Sequence, residues 1–203
     1  MKLRLALAQL NPTVGDLAGN GALITATVTS AKESGADIVV FPEMIVTGYP
    51  VEDLALRPSF QIASKAMISQ IAQSISGDIV AFVGYLDTSH DGAPQNAVAI
   101  IHERQIKARY VKRHLPNYGV FDEFRNFTPG ASNLVVRIKG IDVAVAICED
   151  IWHSLAEIAE RTPGLVVVPN GSPYERNKDD ARLALVHKRA RQVGAPLAYV
   201  NMS

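Results

Sequence analysis

The stretch Val143-Ala144-Val145-Ala146-Ile147-Cys148-Glu149-Asp150 decides the fold class. Its five leading apolar residues are typical of a strand that is buried on both faces of a sheet. The acidic pair ends this strand, and a helix is predicted over 151–160. Cys148 is therefore predicted to lie at a strand-to-helix turn, where free backbone N–H groups and the helix dipole stabilise a thiolate and an oxyanion.

Segments of similar character flank this stretch and predict a mixed α/β chain. Apolar or alternating runs predict strands over 2–10, 36–41, 78–86, 95–102, 106–111, 134–138, 141–147, 165–168 and 197–201. Apolar residues at helical spacing predict further helices over 20–32, 59–76 and 177–193, the last with Leu183, Val186, Ala190 and Val193 facing the core. Tight connections at 103–105 and 139–140 require antiparallel hairpins, whereas helix-linked strands can be parallel.

Composition excludes several classes of protein. The 203 residues predict one domain, and equal totals of 20 basic and 20 acidic residues argue against a nucleic-acid partner. The single cysteine excludes an intrachain disulfide framework, and the five scattered histidines predict no metal site. No apolar stretch approaches the roughly 20 residues of a membrane span, and the start of the chain does not resemble a secretory signal. We therefore expect a cytoplasmic α/β domain.

Three chemically active side chains are predicted to follow directly on strands: Glu43, Lys112 and Cys148. Each has a plain structural explanation, since cysteines are commonly buried and Glu and Lys are mostly exposed. Ligands, however, gather at the carboxyl ends of strands in such sheets. A carboxylate that accepts a thiol proton, a thiolate that attacks a carbonyl carbon and an ammonium that stabilises the oxyanion together indicate covalent hydrolysis.

The sequence around these three residues resembles the nitrilase superfamily, whose triad is Glu-Lys-Cys. The matching segments are Phe41-Pro42-Glu43, Lys112-Arg113-His114-Leu115-Pro116 and Ile147-Cys148-Glu149-Asp150. In further sequence motifs the chain resembles one branch of this superfamily, the N-terminal glutaminase domains of glutamine-dependent NAD+ synthetases. That likeness rests on 47–50, 52–54, 115–123, 147–152, 170–174 and 198–202. It runs from Lys2 to Met202, and 115–123 is its most branch-specific part.

The resemblance implies a four-layer α-β-β-α sandwich with two mixed sheets. It further implies that 1–203 is a glutaminase domain cut short at its C-terminus, with an unpaired edge beside 197–201. The implied reaction is hydrolysis of the L-glutamine side-chain amide through a cysteine thioester, without a cofactor in this domain. A synthetase domain of the same polypeptide, absent from this chain, would use the ammonia with ATP and Mg2+ to amidate deamido-NAD+. A homo-oligomer is also expected.

The resemblance assigns roles to individual residues. Glu43 is the implied general base, Lys112 the cation that stabilises the oxyanion, Cys148 the nucleophile and Glu123 a supporting carboxylate. The implied glutamine pocket is formed by Tyr49, Tyr118, Phe121, Glu149, Trp152 and Ser172. Lys178 occupies the position of a basic residue that contacts the substrate carboxylate, but the segment 175–178 departs from the family pattern and leaves Arg176 as an alternative.

Three other functions stay open at this point. Another amidase of the same superfamily, of the ω-amidase or carbamoylase type, is opposed by the segment 115–123. A catalytically silent assembly module is opposed by the complete triad. A nucleotide-binding domain is opposed by the glycine-rich segment 15–21, which matches neither the dinucleotide nor the P-loop spacing.

Overall fold

The computed structural model describes residues 2–173 and 179–203, which contain two mixed β-sheets. The first sheet comprises β1 (Leu5–Leu7), β2 (Ile38–Val40), β3 (Val80–Thr88), β4 (Pro94–His102) and β5 (Gln105–Val111), in that order. Its first three strands are parallel, and β4 and β5 continue it antiparallel. The second sheet comprises β6 (Leu134–Ile138), β7 (Ile141–Val145), β8 (Leu165–Pro169) and β9 (Leu197–Val200). There β6 is antiparallel to β7, and β7, β8 and β9 are parallel.

Helices cover the outer faces of both sheets. The helices α1 (Leu17–Glu33) and α2 (Pro58–Ser74) pack on the first sheet, and α4 (Ala156–Ala159) and α5 (Asp179–Val193) pack on the second. The short helix α3 (Glu123–Asn126) follows β5. Between the sheets lies a third core that includes Val40, Phe82, Val98, Val145 and Val167. The α-β-β-α sandwich with two mixed sheets is therefore confirmed.

The strand β2 shows why a continuous apolar run marks such a sheet. Ile38 and Val40 point into the core between the sheets, whereas Val39 and the following Phe41 point toward the helices. All four are fully buried. Because each buried aliphatic or aromatic side chain contributes roughly 1.5–3 kcal/mol, neither face of this strand can be polar.

The strand predicted over 2–10 is shorter in the structure, where it spans Leu5–Leu7, and two predicted helices differ as well. The predicted helix over 151–160 is divided into a 3-10 turn, Cys148–Trp152, and the separate short helix α4, because His153 is extended between them. On α5, Leu183 is 58% exposed, contrary to prediction, while Leu185 packs against the core instead. The buried face of α5 also contains a cation, Arg189, that is 7% exposed.

The ends of the sandwich bear on the site and on the predicted edge. Gly84 in β3 lies directly under the segment 42–44, since a Cβ there would clash with Met44 N and come within 2.7 Å of Pro42 O. This close approach lets the chain turn over the sheet end and point Glu43 inward.

At the other sheet, β9 pairs only with β8 among the described residues, as predicted, and Ala198 and Val200 are buried.

No helix in the part of the chain that the structure describes is long and apolar enough to cross a membrane.

Candidate active site

The structure brings three charged side chains together beneath the surface: Glu43, Lys112 and Glu123. Lys112 Nζ lies 2.7 Å from Glu43 Oε1, and 2.9 and 2.8 Å from the two oxygens of Glu123. None of the three is more than 2% exposed. A buried ammonium between two buried carboxylates is costly to assemble and is arranged here by residues distant in sequence.

Strand ends and backbone hydrogen bonds hold these groups in place. Glu43 follows β2, and its backbone N–H donates to Asn170 O at 3.3 Å. Lys112 directly follows β5, and its backbone N–H donates to Asn96 O in β4 at 2.9 Å. Glu123 opens α3, and Tyr49 Oη donates to its Oε1 at 2.9 Å. The sequence prediction that Glu43 and Lys112 converge at strand ends therefore agrees with the geometry.

Burial and the neighbouring charges shift the pKa values in this cluster in opposite directions. Burial lowers the pKa of Lys112, but the facing carboxylates of Glu43 and Glu123 more than reverse this, so that its ammonium stays charged. Burial raises the pKa of Glu123 to about 7, against the opposing effect of the Lys112 charge. The raised pKa of Glu123 favours the retention of a proton on this carboxyl group near neutral pH.

Cys148 lies next to this cluster and is 3% exposed. Its φ of 42° is in the left-handed region, which a non-glycine residue rarely adopts, so the turn that presents its thiol is strained. Its Sγ lies 3.6 Å from Ser172 Oγ. Burial raises the pKa of the Cys148 thiol, and the charge of Glu43 raises it further.

That electrostatic setting corrects one prediction. The thiolate predicted for Cys148 is not favoured, because the element that begins there is a 3-10 turn of only five residues and burial raises the pKa of the thiol. These surroundings favour the protonated thiol. Any nucleophilic attack must therefore transfer the thiol proton to a neighbouring base as the new bond forms.

Asp150 ties the cysteine turn to the segment after Lys112. Its Oδ2 accepts hydrogen bonds from Ile147 N and Tyr110 Oη, both at 2.8 Å. Its Oδ1 accepts from Arg113 N at 3.2 Å and His114 N at 2.9 Å. Asp150 belongs to the cysteine motif in the sequence, but the sequence alone predicts no role for it. Its hydrogen bonds connect the turn at Cys148 to the segment that follows Lys112.

Arg189 is a second support that sequence analysis missed. From α5 its Nε donates to Ile151 O at 2.6 Å, and its Nη2 donates to Trp152 O at 2.9 Å. These are carbonyl groups of the turn that begins at Cys148. A charged residue at an inward position of an otherwise amphipathic helix was the feature that could have revealed it.

The predicted substrate residues are only partly brought together. Tyr49, Phe121 and Ser172 line one open cleft of about 740 Å³, together with Arg182, which was not predicted. Arg182 Nη2 donates to Pro173 O at 2.7 Å, beside Ser172.

The other described residues of the predicted pocket do not line this cleft. Tyr118 Oη donates to Glu149 Oε2 at 2.8 Å, but neither residue lines this cleft. Trp152 does not line it either and is 38% exposed. Lys178 and its alternative Arg176 fall outside the described residues. Among the residues that are described, no group of three or more His, Cys, Asp or Glu side chains is arranged to hold a metal ion.

A helix-sheet-sheet-helix sandwich with a buried Glu-Lys pair beside a cysteine defines a class of enzymes, the nitrilase-like amide hydrolases. The chain matches the carbon-nitrogen hydrolase family over residues 4–202 and belongs to that family. The predicted resemblance to the nitrilase superfamily is confirmed.

Individual relatives give a more specific grouping than the family match does. The chain is 45% identical to the glutamine-dependent NAD(+) synthetase of Xylella fastidiosa, in an alignment that covers 98% of this chain and 37% of the relative. It is 39% identical to the Thermotoga maritima enzyme of the same name, covering 99% of this chain and 35% of the relative. The chain therefore spans little more than a third of the length of these curated relatives.

Solved structures agree with this grouping. The glutamine-dependent NAD+ synthetase of Acinetobacter baumannii, solved with ADP, is 34% identical and superposes with a TM-score of 0.91 over 98% of this chain and 38% of that chain. An amidase from Nesterenkonia sp., at 23% identity and a TM-score of 0.83, shares the fold. It covers 99% of this chain and 79% of that chain.

Proposed function

We propose that this chain hydrolyses the side-chain amide of L-glutamine through a thioester on Cys148. The observation that carries the proposal is the enclosed contact of 2.7 Å between Lys112 Nζ and Glu43 Oε1 beside a buried cysteine thiol. Glutamine is favoured as the substrate because curated relatives that match nearly the whole of this chain at 38–45% identity are named glutamine-dependent NAD(+) synthetases. The ammonia would serve amidation of deamido-NAD+ in the parent enzyme.

In the first half-reaction, Glu43 takes the proton of the Cys148 thiol while the sulfur attacks the amide carbon. The negative charge that develops on the amide oxygen is stabilised by the Lys112 ammonium, which no bulk water screens at this depth. Glu43 then returns its proton to the leaving nitrogen as the C–N bond breaks. The products of this step are ammonia and a γ-glutamyl thioester.

In the second half-reaction, water replaces the amine. Glu43 removes a proton from this water as its oxygen attacks the thioester carbon, and Lys112 again stabilises the oxyanion. When the C–S bond breaks, the leaving sulfur takes the proton back from Glu43. Glutamate is released, and the thiol is restored. Glu123 supports the cycle by holding Lys112 between two carboxylates.

The wider function that we propose belongs to the parent enzyme. A synthetase domain of the same polypeptide would use the ammonia with ATP and Mg2+, and no residue of this chain is assigned to those groups. The names of the relatives support this coupling. We place the protein in the cytoplasm, where a free cysteine persists in reduced form, and expect a homo-oligomer.

The proposal is tested by comparing amide substrates. We expect purified protein to release ammonia from L-glutamine with a kcat/KM at least tenfold above that for a dicarboxylic acid ω-monoamide without an α-amino group. Cys148→Ala is the control for background hydrolysis. A preference for the ω-amide would favour the ω-amidase alternative, and no cysteine-dependent hydrolysis of either substrate would favour the silent assembly module.

A further inference from the structure

The two oxygens of the Glu43 carboxylate have different surroundings. Oε1 accepts hydrogen bonds from Lys112 Nζ and from Asn96 Nδ2, both at 2.7 Å. Oε2 is completely buried and has no hydrogen-bond partner among the described residues. A buried carboxylate oxygen without a donor is unfavourable in a resting protein, so this asymmetry needs an explanation.

Asn96 is placed to enforce the asymmetry. It lies in β4 and is 1% exposed, and its backbone oxygen accepts the hydrogen bond from Lys112 N at 2.9 Å. One residue thus holds the cation through its main chain and the carboxylate through its side chain. Its own Oδ1 is buried and has no hydrogen-bond partner in the described part of the chain, so the hydrogen bond to Glu43 is the one that orients the side chain there.

We propose that Asn96 is a positioning residue that, with Lys112, saturates Oε1 of Glu43 and leaves Oε2 as the one oxygen that takes the proton of Cys148. The inference rests on the proposed function and adds a specific atom to it. With Lys112 as the only donor, the carboxylate could rotate or bridge the ammonium through both oxygens. A second donor on Oε1 prevents that rotation. Oε2 thus stays free for the thiol.

The charged and titratable groups that face Glu43 come from several elements. They are Lys112 after β5, Glu123 in α3, Tyr199 in β9, and the side chains of Tyr49 and Cys148. Asn96 faces the same carboxylate as a neutral hydrogen-bond donor. Removing it weakens the preference for the charged carboxylate, because a hydrogen bond to the charged form favours that form.

Two substitutions of Asn96 separate positioning from packing. Asn96→Ala removes the donor, and we expect kcat/KM for glutamine to fall by about 10- to 100-fold, with little change in KM. The acidic limb of the kcat/KM profile should move to higher pH. Asn96→Asp keeps the shape but puts a second carboxylate beside Oε1, so the same limb should move further in the same direction.

Gln95→Ala is the matched control. Gln95 is the preceding residue of β4, is also buried, and its side-chain oxygen also has no hydrogen-bond partner among the described residues, but its side chain is not a donor to Glu43, whose donors are Asn96 and Lys112. We expect this variant to keep the wild-type pH profile. An acidic limb that is unchanged in Asn96→Ala, or moved equally in Gln95→Ala, would overturn the positioning role.

A second readout keeps the inference separate from the choice of substrate. The rate at which iodoacetamide alkylates Cys148 also depends on transfer of the thiol proton to Glu43. We expect its pH profile to move in the order wild type, Asn96→Ala, Asn96→Asp. If wild-type protein leaves glutamine intact but alkylation follows this order, the proposed function fails and the inference stands. If glutamine is hydrolysed and neither profile moves, the inference alone fails.

Discussion

Gly171 has no side chain, and Glu43 Oε2 lies where a side chain would crowd it: a Cβ on this glycine would be 3.2 Å from that oxygen. It would also lie 3.0 Å from Tyr49 Cδ1. The unpartnered oxygen is therefore closed off by a backbone without a side chain, and any added carbon would crowd the proposed base.

We predict that Gly171→Ala lowers kcat for glutamine hydrolysis by at least about tenfold, because displacing the base by a fraction of an ångström disrupts proton transfer. Steady-state kinetics and thermal unfolding measure the two effects. Gly92→Ala is the control, since a Cβ there meets nothing within 4 Å but the positive φ of 86° is unfavourable for alanine. It should lose stability and keep activity. The opposite pattern would contradict the prediction.

Stability should depend on pH through Glu123. Its folded pKa is raised to about 7, above the ordinary value of 4.5, so the folded state retains a proton that the unfolded chain has lost. The free energy of unfolding should therefore fall as pH rises from about 5 to 8, by up to about 3 kcal/mol. Glu123→Gln should flatten this slope in denaturant titrations. An equal slope in wild type and variant would contradict the assignment.

Arg189 holds the turn that carries Cys148, and a small guanidinium compound should partly replace its side chain. Arg189→Ala leaves the carbonyls of Ile151 and Trp152 without their buried donor, which costs roughly 1–3 kcal/mol and loosens the turn that carries Cys148. We expect activity to fall about 10-fold or more and to recover partly when millimolar guanidinium is added. Arg191→Ala, on the exposed face of the same helix, should stay active. Loss of activity without any rescue would indicate general misfolding.

Glu43 and Lys112 should act as one unit. Glu43→Gln and Lys112→Ala should each lower kcat/KM by several orders of magnitude, the first through loss of the base and the second through loss of roughly 3–4 kcal/mol of oxyanion stabilisation. The double variant should be little slower than the slower single variant, because neither group works without the other. A double variant whose rate is reduced by the product of the two single losses would contradict this joint action of Glu43 and Lys112.

The fold and the central contact could be predicted because they depend on strong local patterns. The apolar strand that ends before Cys148 and the fully buried run at β2 mark strands between two layers, whatever the rest of the chain does. Charged residues directly after such strands must lie at a sheet edge. That argument placed Glu43 and Lys112 together correctly.

Other parts could not be predicted, because they depend on tertiary contacts. Asn96, Asp150 and Arg189 are defined by their partners from other elements, and one polar residue in a strand or helix does not reveal its partner. The division of the helix after Cys148 has the same origin, since the turn is fixed by Asp150 and Arg189. Leu183 was misplaced because helical periodicity alone does not choose between it and Leu185.

The central claim is that Cys148 carries the glutamyl group, and the rate of ammonia release from L-glutamine by Cys148→Ala tests it most directly. Removing one sulfur from a buried site should cost only on the order of 1 kcal/mol of stability, so the variant should fold, which circular dichroism checks. We predict a rate at least several orders of magnitude below wild type, close to the rate without protein. A rate within tenfold of the wild-type value, in folded protein, would contradict the account.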